Sequence, residues 1–155
     1  MVEYWHSMWK VGLIVLLAVE MFWSLRATPD YPVLYRIKRL EEKAYFLLLR
    51  KPEDKVNFSQ GLLNLRLKEL NHLVVVKEFD LLYPASLRYA AAADEAVNLV
   101  KVSGKAELIT ETKQLLVDQK ADLHNLLKTF PAQDSDSGKY IQDDINYLTI
   151  YLGKI

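Results

Sequence analysis

The chain contains one long apolar run near its N-terminus, KVGLIVLLAVEMFWSLR at residues 10–26. Between Val11 and Leu25 the only charged side chain is that of Glu20. A helix of this length rises about 22 Å, which is shorter than the roughly 30 Å hydrocarbon core of a bilayer. The run has no polar face, so it is more typical of a membrane segment than of a helix in a water-soluble core.

Aromatic residues on both sides of the run supply the missing length. A helix from Trp5 to Trp23 rises about 27 Å, close to the thickness of one bilayer core. Glu20 would lie about 4.5 Å below the level of Trp23, where a carboxyl group can reach water or stay protonated. We therefore predict that residues 1–26 are an N-terminal membrane anchor. Its expected membrane-interface residues are Trp5, Trp9, Lys10, Glu20 and Trp23.

Two alternatives to a simple anchor remain open at this point. Residues 1–26 could be a cleaved signal peptide, although cleavage after Ala27 would place Leu25 where a small residue is preferred. Glu20 could also pair with another protein's helix inside the membrane, since intramembrane carboxylates are often functional.

The charges around the run bear on its orientation. Arg26, Arg36, Lys38 and Arg39 follow it, whereas Lys10 alone precedes it. Taken alone, this bias would place the C-terminal domain in the cytoplasm. Folded domains can, however, be translocated largely regardless of their charge.

The composition excludes several classes of protein. The 155 residues include 20 Lys and Arg and 20 Asp and Glu, so the formal net charge is zero. A neutral chain is a poor nucleic-acid module, because such modules neutralise phosphates. The absence of cysteine excludes disulfides, thiolate catalysis and zinc–thiolate sites.

The rest of the chain predicts helices separated by short breaks. The segment ATPDYP at residues 27–32 is a stiff linker, and residues 33–130 carry helical periodicity interrupted near Pro52, Pro84 and Gly104. Residues 131–155 form a polar loop followed by a C-terminal helix. Short loops between amphipathic helices favour antiparallel neighbours. We expect an all-α fold, in which an N-terminal transmembrane helix precedes an antiparallel bundle of four to five helices.

Within the predicted bundle, the apolar stripes indicate which helix faces turn inward. The first stripe consists of Val33, Ile37, Leu40, Ala44 and Leu47, and the second of Val56, Leu63, Leu67, Leu70 and Val74. Arg66, Lys68 and Glu69 are expected on the outer side of the second helix. The third helix presents small side chains at Ala90 and Ala93, which permit close helix–helix approach.

Residues 29–70 resemble an uncharacterised bacterial family of extracytoplasmic helical domains, domain of unknown function number 5667. The matching residues are Leu34, Tyr35, Lys38, Arg39, Glu42 and Lys43 in the opening, Pro52, Glu53 and Lys55 in the turn, and Arg66 to Leu70 beyond it. The helices that follow, through His124, match the family more loosely. In all, the resemblance covers about two thirds of the chain. It implies an all-helical domain outside the cytoplasm, against the local charge bias. It carries over no catalytic residue.

The strongest metal-binding pattern is Glu69-Leu70-Asn71-His72, an E-x-x-H element of the kind that helical di-iron proteins use. Such a site requires two of these elements and two further glutamates, but His124 has Ala121 three residues before it. Glu69, His72 and His124 are therefore weak metal candidates, and we predict no metal or cofactor. The aspartates near Gly138 also fail the EF-hand spacing, because Lys139 and Ile145 occupy the positions for Gly and Glu.

Four basic residues near the predicted anchor are candidates for lipid contact: Arg36, Lys38, Arg39 and Lys43. They could equally form a solvated face, where Glu41 and Glu42 offset much of their charge. No nucleophile elbow or phosphate-binding loop occurs, so we expect no enzyme. The favoured function is a non-catalytic interaction or envelope-structural module on the membrane, and another protein is a candidate partner. A ligand- or metal-binding sensor that uses the bundle interior is the alternative.

Overall fold

A computed structural model of the chain describes residues 28–29, 32–130 and 135–155. Its elements are α1 (Pro32–Leu48), α2 (Pro52–Val76), a single 3-10 turn (Phe79–Leu81), α3 (Leu82–Ser103), α4 (Ala106–Thr129) and α5 (Ser135–Leu152). These residues contain no strand, which confirms the all-α prediction for the described part of the chain. The predicted anchor at residues 1–26 lies outside the described residues.

The chain divides into two compact units, Met1–Ala44 and Tyr45–Ile155. α1 begins in the first unit and ends in the second, and its buried residues are not those of the apolar stripe that the sequence predicts. Tyr35 and Lys38 are buried, at 7% and 5% exposure, whereas Val33 and Leu40 are 71% and 67% exposed. The expectation that the stripe of Val33 and Leu40 faces a core is therefore wrong.

The second unit is a four-helix bundle formed by α2, α3, α4 and α5. Contacts between α2 and α4 join Glu53 to Lys105 and Asn64 to Gln119, so these two helices run in the same direction. Two further contacts join Ser86 to Asp144 and Asp94 to Lys154, which lies just past the end of α5. Both residue numbers increase from the first pair to the second, so α3 and α5 are also parallel. Helices joined by short connections are antiparallel, and α3 contacts each of the other three helices.

The bundle core is built from the apolar faces of all four helices. Its fully buried members include Leu63, Leu70, Leu73, Leu82, Tyr89, Ala93, Val97, Leu116, Leu123, Ile141 and Leu148. The predicted stripe of α2 is buried except for Val74, which is partly buried. Small side chains at Ala85, Ala92, Ala93 and Ala96 line the buried face of α3, so neighbouring helices can approach it closely.

Two charged residues of α2 do not lie where the sequence predicts. Arg66 is 1% exposed and Glu69 is 3% exposed, although both were expected on the outer face. The Arg66 Nη1 donates to Glu69 Oε1 at 2.5 Å, and this pairing offsets part of the cost of burying each charge. Lys68, the third residue expected there, is exposed.

The helix ends follow local sequence rules. Pro52 occupies the first turn of α2, and Glu53 and Asp54 follow it, where carboxylates interact favourably with the helix dipole. The end of α3 is set by Gly104, whose φ of 64° lies in the left-handed region that favours glycine. Its backbone N–H donates to the carbonyl oxygens of Val100 and Lys101.

Candidate functional site

A chain of buried hydrogen bonds crosses the bundle near its middle. The Tyr89 hydroxyl of α3 donates to Gln119 Oε1 of α4 at 2.8 Å. Gln119 Nε2 in turn donates to Asn64 Oδ1 of α2, also at 2.8 Å. Tyr89 is fully buried and Gln119 is 2% exposed, while Asn64 lies at the surface. This polar layer, Tyr89–Gln119–Asn64, therefore fixes three helices relative to one another and satisfies its own buried groups.

A second polar contact joins α2 to α4, about one turn away along α2 and about two turns away along α4. Gln60 Nε2 donates to Thr112 Oγ1 at 2.9 Å, and that hydroxyl donates to the Leu108 carbonyl oxygen at 2.7 Å. Thr112 is fully buried. The two contacts together specify the register between the parallel helices α2 and α4, because a shift of either helix would break both.

A buried carboxyl group lies between α3 and α5. Ser86 Oγ donates to Asp144 Oδ1 at 3.0 Å and lies 3.3 Å from the Tyr140 carbonyl oxygen. Asp144 has no exposed surface, and its Oδ2 makes no hydrogen bond with any residue that the structure describes. Burial raises the pKa of Asp144 from 3.8 to about 8, against the opposing hydrogen bond from Ser86.

The environment of Asp144 determines what chemistry this group can perform. At neutral pH it is a protonated acid, and acids with raised pKa values often occur in active sites. A catalytic acid must also reach its substrate, whereas Asp144 is enclosed by the packed faces of α3 and α5. Burial also raises the pKa of Tyr89. Both groups act here as internal contacts between helices.

The weak metal candidates do not form a site in the described part of the chain. The Glu69 carboxylate accepts the hydrogen bond from Arg66, His72 is partly buried, and His124 is exposed on α4. No group of three or more His, Cys, Asp or Glu side chains that could hold a metal ion occurs among residues 28–29, 32–130 and 135–155. Of the aspartates near Gly138, Asp136 and Asp143 are exposed and Asp144 is buried.

The four basic residues expected to contact lipid are not presented as one cluster. Lys38 is buried, with its Nζ 5.7 Å from the centre of the Tyr35 ring. Arg39 is paired with Glu42 at 2.7 Å. Arg36 and Lys43 are exposed on α1. Lys38 lies on the packed side of α1, so only Arg36 and Lys43 of the four candidates are exposed, and their contact with lipid stays a prediction.

The predicted membrane-interface residues, Trp5, Trp9, Lys10, Glu20 and Trp23, lie outside the described residues. Among the helices that the structure describes, none is long and apolar enough to cross a membrane.

The sequence contained a signal for the polar layer that our interpretation did not use. Thr112 and Gln119 lie on the same helical stripe of α4 as Leu108, Leu115 and Leu126, so they occupy core positions. Polar residues at core positions require buried partners, which could have been sought on the neighbouring helices. Asp144 gives the same signal beside Ile141, Ile145 and Leu148.

Comparison of the chain with protein-family models, curated proteins and solved structures finds no significant match.

Proposed function

We propose that the chain is a single-pass membrane protein whose helical bundle lies outside the cytoplasm and serves as a non-catalytic interaction or envelope-structural module. The observation that carries this proposal is the internally hydrogen-bonded bundle interior. Its polar side chains Tyr89, Gln119 and Ser86 bond to other side chains of the bundle. An interior of this kind supports a rigid scaffold, whose function resides on its outer surface.

The membrane part of the proposal is supported by the sequence of residues 1–26. Their apolar run carries one charge, and tryptophans stand at both ends. Attachment to a membrane would raise the effective concentration of the bundle toward neighbouring partners. The outside orientation is supported by the resemblance of residues 29–70 to an extracytoplasmic family, against the local charge bias.

Membrane fractionation combined with external protease tests both parts. We expect the full chain to stay with the membrane after an alkaline carbonate wash, because a spanning helix is held by burial of its apolar side chains in lipid and not by ionic contacts that high pH disrupts. We expect protease added to spheroplasts to digest the bundle. Release of the intact chain by the wash would contradict the anchor, and full protection in spheroplasts would contradict the orientation.

A sensor domain that binds a ligand inside the bundle is the alternative function. It is favoured by one observation, the buried Asp144 Oδ2 without a hydrogen-bond partner among the described residues. A ligand that binds only the folded state must raise the midpoint of thermal unfolding. Titration of the purified chain with Zn²⁺, Mn²⁺ and Ca²⁺ would support this alternative if a midpoint rose and if Asp144→Asn abolished the rise.

A further inference from the structure

The first unit exposes an apolar face on α1. Val33 and Leu40 are 71% and 67% exposed, and Ala44 beside them is also exposed. Residues seven apart lie within about 20° of each other around a helix, so these side chains form one continuous stripe. The buried residues Tyr35 and Lys38 lie on other sides of the helix. α1 is therefore amphipathic with its apolar stripe turned outward.

Basic residues follow one border of this stripe. Arg36 and Lys43 are both exposed and are also seven residues apart, so they lie in line along the helix. Each is three residues beyond an exposed apolar residue, Val33 and Leu40. Glu42, by contrast, has a side chain only 12% exposed and is paired with Arg39. An outward apolar stripe bordered by cations is the pattern of a helix that lies in the interface of an anionic membrane.

The position of α1 in the sequence places it near such a surface. Seven residues separate Leu25, the end of the apolar run, from Val33. A linker of that length spans at most about 25 Å when fully extended. If residues 11–25 cross a bilayer, the start of α1 cannot lie far from its headgroups.

We propose that the stripe of Val33, Leu40 and Ala44 lies in the headgroup region of an anionic phospholipid bilayer, with Arg36 and Lys43 directed at lipid phosphates. This inference rests on the proposed function, because the anchor supplies the proximity. A second copy of the chain fits the stripe less well. The stripe continues toward the end of α1 to Leu47, which is 80% exposed. A stable protein interface buries about 800 Å² on each partner, which four side chains of this size do not provide.

Site-directed spin labelling of the full chain tests this proposal. The chain has no cysteine, so Leu40→Cys creates a single labelling site. Val117→Cys is the matched control, because Val117 is an apolar residue of α4 that is 49% exposed. Both proteins are reconstituted in vesicles of phosphatidylcholine and phosphatidylglycerol. The accessibility of each label to oxygen and to a water-soluble nickel chelate is then measured.

We expect the label at Leu40 to show a several-fold higher ratio of oxygen to nickel accessibility than the label at Val117, because oxygen partitions into lipid. The double variant Arg36→Glu, Lys43→Glu should lower this ratio in anionic vesicles but not in pure phosphatidylcholine. Reversal of two exposed bundle lysines, Lys68→Glu with Lys113→Glu, should leave it unchanged. Val33→Cys repeats the measurement if the Leu40 variant folds poorly.

The outcomes separate this inference from the proposed anchor. Protein that resists alkaline carbonate but shows equal accessibility at the two labels keeps the anchor and overturns the lipid contact of α1. If the wash releases protein whose Leu40 label lay in lipid before the wash, the lipid contact of α1 is kept and the anchor is overturned. Protein that never floats with the vesicles overturns both. Spin–spin broadening at Leu40 between protomers would mean that a second copy covers the stripe, which also overturns the inference.

Discussion

Asp144 is a fully buried acid whose protonation affects the stability of the bundle. Its ordinary pKa of 3.8 is raised to about 8 by burial. The folded state therefore binds a proton more tightly than the unfolded state does. The resulting stabilisation is complete below the unfolded pKa, decreases as the pH rises between the two pKa values, and is fully lost once the pH has risen through the folded pKa.

We expect Asp144→Asn to separate this effect from all other titrations. Asn has the shape of the protonated acid but cannot lose a proton. The free energy of unfolding of the variant minus that of the natural chain should rise between about pH 5 and pH 8, by up to about 1.4 kcal/mol per pH unit. Above the folded pKa the difference should level off. Urea unfolding of both proteins across this range measures it.

The control for this prediction is Asp118→Asn, which changes an exposed carboxylate on α4. The difference in free energy of unfolding between this variant and the natural chain should vary little with pH, because an exposed carboxylate contributes little to stability. A pH-independent difference for Asp144→Asn would mean that the buried carboxyl group is not protonated in the folded state at neutral pH.

A substitution at Tyr89 tests the contribution of the polar layer to stability. Tyr89→Phe removes the hydroxyl that donates to Gln119 Oε1 and leaves that buried oxygen without its donor. We expect a loss of about 1–3 kcal/mol in the free energy of unfolding. Tyr147→Phe, at a position that is 44% exposed, is the matched control and should change stability by less than about 0.5 kcal/mol.

A double variant checks the cause of that loss. Tyr89→Phe with Gln119→Leu replaces both partners by apolar side chains, so no unsatisfied amide remains next to the ring. The surface residue Asn64 can then bond to water. The double variant should be more stable than the sum of the two single losses implies. Strict additivity would show that the two side chains do not interact.

At the scale of helices, local periodicity predicted where each element lies but not always which side packs. The predicted inward stripe of α2 is buried, yet Arg66 and Glu69 are buried beside it. On α1 the predicted inward stripe is exposed except for Ile37, which is partly buried. Helical spacing shows that apolar residues share a face, whereas the surroundings of that face depend on residues distant in sequence.

The alanine-rich buried face of α3 predicts that a larger side chain there destabilises the bundle. Ala93 is fully buried in the core cluster, whereas Ala91 on the same helix is exposed. Ala93→Leu adds three carbons to a packed interface and should cost about 1–3 kcal/mol in the free energy of unfolding. Ala91→Leu has the same helix propensity change without the crowding, so it should be nearly neutral. Urea unfolding of the pair compares them directly.

If the two leucine variants were equally stable, α3 would not approach its neighbours as closely as its alanines permit. That result would contradict the packing of α3 as the helix that contacts all three others in the bundle.

For the whole molecule, the bundle of Tyr45–Ile155 contains its own core, from Leu63 on α2 to Leu148 on α5. We expect a chain that lacks residues 1–26 to stay in solution, to keep its helical circular dichroism and to unfold cooperatively in urea. Size-exclusion chromatography and circular dichroism measure these properties. An aggregated product would contradict the predicted boundary between anchor and domain, and the full chain in detergent serves as the control for helix content.

The positions of the helices, most of their ends and the apolar faces of the bundle follow from the amino-acid sequence alone. These properties arise from local propensity, from Pro52 and Gly104, and from a periodicity of 3.6 residues per turn. Three features depend on how distant segments pack together: α1 exposes most of its apolar stripe, Arg66 and Glu69 are buried, and polar side chains meet across the core. The Tyr89–Gln119 and Ser86–Asp144 contacts join residues 30 and 58 positions apart. A helix pattern cannot supply such partners, because it records spacing along one helix and not what packs against it.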